Sequence, residues 1–129
     1  MKNTLAGLRH LALRVSDIAR SKYFYQNILG MEVIWEPDPN NVYLSSGLDN
    51  LALHQAELAI DSSQRSPLDH FGFMAESESG VDVFYQALQK TNTPIVKQPQ
   101  KHRDGSYSFY FSDPDGNTIQ IIYEPRLGP

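Results

Sequence analysis

Residues 10–26, HLALRVSDIARSKYFYQ, and residues 70–86, HFGFMAESESGVDVFYQ, decide the fold, because they are one pattern written twice. His10 precedes Phe24, Tyr25 and Gln26 at the spacing by which His70 precedes Phe84, Tyr85 and Gln86, with a constant offset of 60 residues. Repetition at a fixed period marks a duplicated structural unit. Each copy opens with alternation. Leu11, Leu13 and Val15 fall on one side and His10, Ala12 and Arg14 on the other, which is the period-two signature of a strand lying on a core. Ser16 and Asp17 then offer helix N-cap oxygens. Ile18, Phe24, Tyr25, Ile28 and Leu29 form a helical stripe across 17–29, and Gly30 is placed to end it.

Outward from these stretches, strand-like segments follow at 31–36, 41–46 and 50–56, separated by Pro37, Asp38, Pro39 and Asn40 and then by Gly47, Asp49 and Asn50. The second copy reads as strand 68–75, helix 79–91 and strands 94–98, 105–112 and 117–124, with Asp113-Pro114-Asp115-Gly116-Asn117 making a tight turn before the last. The order is βαβββ twice. The expected architecture is α+β: two tandem βαβββ modules forming an open, cupped, mixed sheet with helices outside. Module one spans about 7–58, a polar linker about 59–67, and module two about 68–124, all within a single domain covering 1–129; the tail after Glu124 is expected to fray.

Composition bounds the function. The 129 residues carry 11 Lys+Arg against 15 Asp+Glu, a net charge of −4, and no cysteine. The acidic balance argues against nucleic-acid or anionic-membrane partners. Without thiols there are no disulfides, no thiolate metal sites and no cysteine nucleophile. Any metal must be held by nitrogen and oxygen. No apolar run approaches membrane-spanning length and the N-terminus lacks a signal-peptide pattern, so a cytoplasmic protein is expected.

The histidines follow the repeat. His10 and His70 occupy equivalent places at the first strands. His54 lies on the last strand of copy one and Gln120 on the last strand of copy two, each facing away from the apolar residues. A pseudo-twofold between the copies would gather these four side chains. Imidazole and an amide oxygen are competent ligands for zinc, nickel, cobalt, iron or manganese. Taken singly, each histidine reads equally as a hydrogen-bonded group on a half-polar sheet face; three at related positions favour a metal. His102, in the polar loop QKHRDG, reads as exposed or as part of a lid. Trp35, Tyr43 and Tyr110 are candidates to line a pocket for a small, partly apolar ligand. Lys97, Lys101, His102 and Arg103 form a basic stretch suited to a carboxylate, phosphonate or glutathione-like group.

RHLALRVSDIARSKYFYQNILGMEV, LDHFGFMAE and SFYFSDPDGNTIQII together resemble the vicinal oxygen chelate superfamily, which includes glyoxalase I, fosfomycin- and bleomycin-resistance proteins and extradiol dioxygenases. The resemblance covers about residues 7 to 124. It implies a divalent metal held by His10, His54, His70 and Gln120, a small-molecule substrate and a homodimer. Its fosfomycin-resistance branch implies substrate contacts from Ser108 and Tyr110. The family's last-strand ligand is usually Glu, and here it is Gln120. An amide cannot shuttle a proton as glyoxalase chemistry requires, which makes Glu124, of the same strand parity, the nearest candidate base, beside Tyr110 as a catalytic group. Isomerase or lyase, thiol-transfer and oxygenase chemistry all stay open. The alternative is a metal-free, bleomycin-resistance-like protein that binds an aromatic ligand in a dimer cleft.

Overall fold

The computed structural model describes residues 4–64 and 66–127; Arg65 of the expected linker and the last two residues of the expected tail lie outside this range. The chain forms two compact units, Met1–Ile60 and Asp61–Pro129. In the first, β1 (His10–Val15) leads to α1 (Ile18–Tyr23), a π-turn (Phe24–Ile28), β2 (Glu32–Asp38), β3 (Asn41–Ser45) and β4 (Asn50–Gln55). In the second, β5 (Phe71–Met74) leads to α2 (Glu78–Gln89), β6 (Ile95–Lys101), β7 (Tyr107–Ser112) and β8 (Thr118–Tyr123). Each unit is βαβββ, and the α+β architecture of tandem modules holds.

Both sheets have four strands and one topology, β1-β4-β3-β2 and β5-β8-β7-β6. The first and last strands of each unit pair in parallel at the far side from an antiparallel hairpin. The edge strands β2 and β6 run longer than expected, through Pro37 and Pro99 respectively. A proline removes a ladder hydrogen bond, so it is tolerated only at an edge or a bulge. Here it is at both, because the register slips between Trp35 and Asp38 and again between Lys97 and Gln100.

Helix starts match the capping residues. The Asp17 carboxylate accepts from the Arg20 N–H at 3.2 Å, and Ser77 Oγ accepts from the Gly80 N–H at 3.0 Å. The first helix does not continue regularly to residue 29. The Phe24 carbonyl accepts from the Leu29 N–H at 3.1 Å, five residues on, which makes a π-turn. Adjacent Phe24 and Tyr25 are both buried at this turn, and their rings meet edge to face at 5.2 Å. Gly30 ends the segment at φ +76°, a conformation that only glycine adopts without strain.

The cores lie between each sheet and its helix. In the first unit Val15, Tyr25, Val42, Leu44 and Leu53 are fully buried, and in the second Val81, Phe109, Phe111 and Ile119. The opposite sheet faces carry His10, Ala12 and Arg14 in one unit and Gly72, Tyr110 and Gln120 in the other, as strand alternation requires. Among the described residues, no helix is long and apolar enough to cross a membrane.

Candidate functional site

In the second unit, strand register sets Tyr110, Gln120 and Gly72 in one row across β7, β8 and β5. His70 precedes β5 by one residue and so stands on the same face as Gly72. Its ring meets Tyr110 edge-on at 5.2 Å. His70, Tyr110, Gln120 and Ile122, with His102 and Arg103 of the β6–β7 loop, line an open concavity of about 570 Å³.

Hydrogen bonds define the atoms this concavity presents. Asp69 Oδ1 lies 2.6 Å from His70 Nδ1. A carboxylate only accepts, so Nδ1 carries the proton and Nε2 the lone pair. Gln120 is buried, and its Nε2 donates to Ser108 Oγ and Tyr110 OH, each at 2.9 Å. Among the described residues, no hydrogen bond reaches Gln120 Oε1.

The first unit repeats half of this arrangement. His10, on the same face as Ala12, has Nδ1 2.7 Å from Asn50 Oδ1, again leaving the lone pair on Nε2. The counterpart of the Tyr110–Gln120–Gly72 row is Tyr43–Ala52–Ala12. Ala52, not His54, therefore matches Gln120, and the equivalence expected for His54 is corrected. His54 pairs with Arg14, four residues along the strand from the His10 row. That is about 13 Å at the strand rise, so two imidazoles standing on one sheet face do not converge across it. His54 instead gives its Nδ1 proton to Asn41 Oδ1 at 2.6 Å and meets Tyr43 edge-on at 5.9 Å. Trp35 is mostly exposed and tilts against Tyr43 at 4.9 Å. At the matching place in the second unit, Lys97 sits over Tyr110 at 5.8 Å. Trp35 and Tyr43 thus belong to an aromatic shelf of the first unit, while Tyr110 belongs to the concavity of the second.

The other candidates separate clearly. Ser108 is fully buried and its hydroxyl faces Gln120 and His102, not open space. Glu124 follows β8, outside the lining of the concavity. Arg126 donates to it from Nε and from a terminal nitrogen, each at 2.8 Å, and this guanidinium holds the carboxyl below the ordinary range. Proton affinity is lowered there, the reverse of what a general base for a weak acid requires. His102, read from the sequence as exposed or part of a lid and as one of a basic stretch, has a contact to β7 that sequence reasoning missed. It is half-buried, and its Nε2 lies 2.7 Å from Ser108 Oγ. The signal was present in QKHRDGSYS: a turn in which Asp104 caps Ser106 and His102 N–H donates to the Ser106 carbonyl folds the loop back onto β7.

The model of the glyoxalase/bleomycin resistance protein/dioxygenase superfamily matches residues 7–121. The chain belongs to this superfamily. The metallothiol transferase FosB of Staphylococcus saprophyticus is 30% identical over 117 residues, covering 91% of this chain and 76% of that protein. The glutathione transferase FosA of Serratia marcescens is 30% identical over 120 residues, covering 91% and 80%. In fold, lactoylglutathione lyase from Agrobacterium tumefaciens aligns with TM-score 0.79 at 21% identity, over 98% of this chain and all of that one.

For a member of the glyoxalase superfamily, the donor chemistry suits a divalent ion. Two histidines at repeat-equivalent places present Nε2 lone pairs, each backed at Nδ1 by an acceptor that fixes the tautomer. One buried amide keeps a carbonyl oxygen free. Within either unit, no three His, Asp or Glu side chains come together among the described residues. On β8 the uncharged amide of Gln120 stands where the sequence resemblance implies a carboxylate.

Proposed function

We propose that the protein is a metal-dependent thiol transferase of the glyoxalase superfamily, with His10, His70 and Gln120 as the protein ligands of a divalent ion. The observation that carries the reading is the pair of ligand-ready histidines, with Nδ1 engaged by Asn50 in one unit and by Asp69 in the other. The names of the FosB and FosA relatives support group transfer to or from a thiol. When bound, the ion supplies Lewis-acid polarisation of substrate oxygens.

A ligand set of three neutral side chains favours an anionic, oxygen-bearing substrate over a neutral one. Lys101 and Arg103 on the rim of the concavity have the same preference. Tyr110 lines this space and turns its hydroxyl toward Gln120, within reach of a substrate oxygen beside the ligand. In the transfer, the thiol gives up its proton, the thiolate sulfur bonds to an electrophilic carbon of the substrate, the carbon–oxygen bond at that carbon breaks, and the freed oxygen takes up the proton. No carboxylate base is needed, which is consistent with Gln at position 120. A homodimer in the cytoplasm completes the proposal. Exposed Leu8, Leu48 and Leu58 offer apolar surface for a second copy.

The test is direct. Metal-loaded protein, glutathione or cysteine, and the epoxide fosfomycin are incubated together, and the adduct is sought by mass spectrometry. The proposal expects a metal-dependent adduct that chelation abolishes. Absence of any thiol adduct, with aromatic compounds quenching Trp35 fluorescence equally well in chelated protein, supports the metal-free binding reading in its place, for which the exposed Trp35–Tyr43 shelf is the favouring observation.

A further inference from the structure

The second unit contains a hydrogen-bond chain that has a direction. His102 Nε2 lies 2.7 Å from Ser108 Oγ, Ser108 Oγ lies 2.9 Å from the Gln120 amide nitrogen, and that nitrogen lies 2.9 Å from Tyr110 OH. The amide nitrogen has two protons, and both are engaged. Ser108 accepts one of them and keeps its own proton to give, with His102 Nε2 as the partner in reach. In this direction His102 is the Nδ1–H tautomer and Gln120 Oε1 is left for the concavity.

The same heavy-atom positions also admit the reverse. If His102 Nε2 bears a proton and donates to Ser108, the Ser108 and Tyr110 hydroxyls both donate to a rotated Gln120 carbonyl. The amide N–H groups then face the concavity, where they repel a cation. Ser108 is buried with His102 and Gln120 as its side-chain partners. Donation from position 102 would leave the Ser108 proton unpaired unless Gln120 turned its carbonyl to accept it, so the direction at position 102 favours one end of Gln120 over the other. A glutamate at position 120 would present oxygen either way, so the device has meaning only for an amide.

We propose that His102 is a positioning residue: by accepting the Ser108 proton at Nε2 it sets the direction of the chain and turns the Gln120 carbonyl oxygen toward the concavity. The ligand role of that oxygen rests on the function proposed above; the direction of the chain does not. His102 touches neither ion nor substrate in this account and acts through Ser108 alone. Removing it leaves Ser108 free to donate to Gln120, and the rotated amide competes.

The experiment uses metal-free, ¹⁵N-labelled protein, then Zn²⁺ alone as the probe. In the wild type, long-range ¹H–¹⁵N spectra should show His102 Nε2 unprotonated. Both Gln120 side-chain amide protons should exchange with water slowly compared with those of exposed Gln26. His102→Ala should release that protection without changing the backbone spectrum beyond the β6–β7 loop, and His102→Gln, whose carbonyl can accept from Ser108, should restore it. Zn²⁺ affinity should fall by roughly tenfold or more in His102→Ala and recover in His102→Gln, the scale of losing a partner that orients a ligand. A protonated Nε2, or fast-exchanging Gln120 amide protons in the wild type, overturns the proposal even if no variant folds. Protection lost in His102→Ala while Zn²⁺ binds none of the proteins upholds the chain and removes the metal reading. Unchanged protection in a folded His102→Ala overturns the role assigned to His102.

Discussion

Replacing Gly72 by alanine isolates what holds the candidate site together. Gly72 pairs with Gln120 across the parallel β5–β8 ladder. A Cβ at position 72 would lie 2.7 Å from the backbone carbonyl oxygen of Gln120 and 3.3 Å from its Cβ. Ordinary contact begins near 3.4 Å, so the two strands must part by several tenths of an ångström, and the obstacle is backbone that cannot rotate away. Forced overpacking costs about 1–3 kcal/mol. Alanine recovers about 0.5–1 kcal/mol of chain entropy relative to glycine. The net expectation is a loss of about 0–2.5 kcal/mol, centred near 1 kcal/mol, which is roughly a fivefold fall in the folding equilibrium. Gly80→Ala in α2 is the internal control. Its Cβ would meet Ser77 Oγ at 3.4 Å and nothing closer, so the helix gain of up to about 1 kcal/mol should come through. Urea unfolding followed by circular dichroism reads both. The reasoning predicts a lower midpoint for Gly72→Ala and a higher one for Gly80→Ala; a Gly72→Ala protein more stable than the wild type refutes it.

Phe111 is fully buried between Phe84 and Phe109, and Phe111→Ala should cost about 3–5 kcal/mol, visible as a large fall in the urea midpoint. Tyr107 donates its hydroxyl proton to Asp82 at 2.6 Å, and this hydrogen bond to a carboxylate pushes the phenol up to about 12 from its usual 10. A folded-state value above the unfolded one stabilises fully below pH 10 and is lost as pH rises through about 12. The stability difference between wild type and Tyr107→Phe should therefore shrink across that interval, measured by denaturation at stepped pH.

Much of the frame was legible in the amino-acid order, for a physical reason. The repeated His–(strand)–(helix)–Phe-Tyr-Gln spacing carries both periods, two and then 3.6, so it identifies the type and sequence of elements. What it does not carry is row. Alternation tells which face His54 occupies, but a face looks the same after any two-residue slide, and only the β1–β4 register shows that Ala52 is the counterpart of Gln120. The π-turn was hidden in a similar way. Phe24 and Tyr25 fit an α-helical stripe as neighbours, just as Phe84 and Tyr85 do in the regular helix α2, so the apolar pattern carries no mark of the hydrogen bond that spans five residues. Pro37 and Pro99 read as ends of strands because a central strand would not admit them, whereas an edge strand does. His102 was obscured because a polar loop suggests solvent, and its tie to Ser108 depends on a turn closed by Asp104 and Ser106.

The central claim is that two histidines at repeat-equivalent positions, with an amide in place of the usual carboxylate, hold a divalent ion. Elemental analysis of untagged protein, stripped with chelator, reloaded with Zn²⁺ or Mn²⁺ and dialysed, tests it most directly when His10→Ala, His70→Ala and His54→Ala are measured beside the wild type. The account predicts stoichiometric metal in the wild type and in His54→Ala, and its loss from His10→Ala and His70→Ala. A wild type that retains no metal, or a loss confined to His54→Ala, contradicts it.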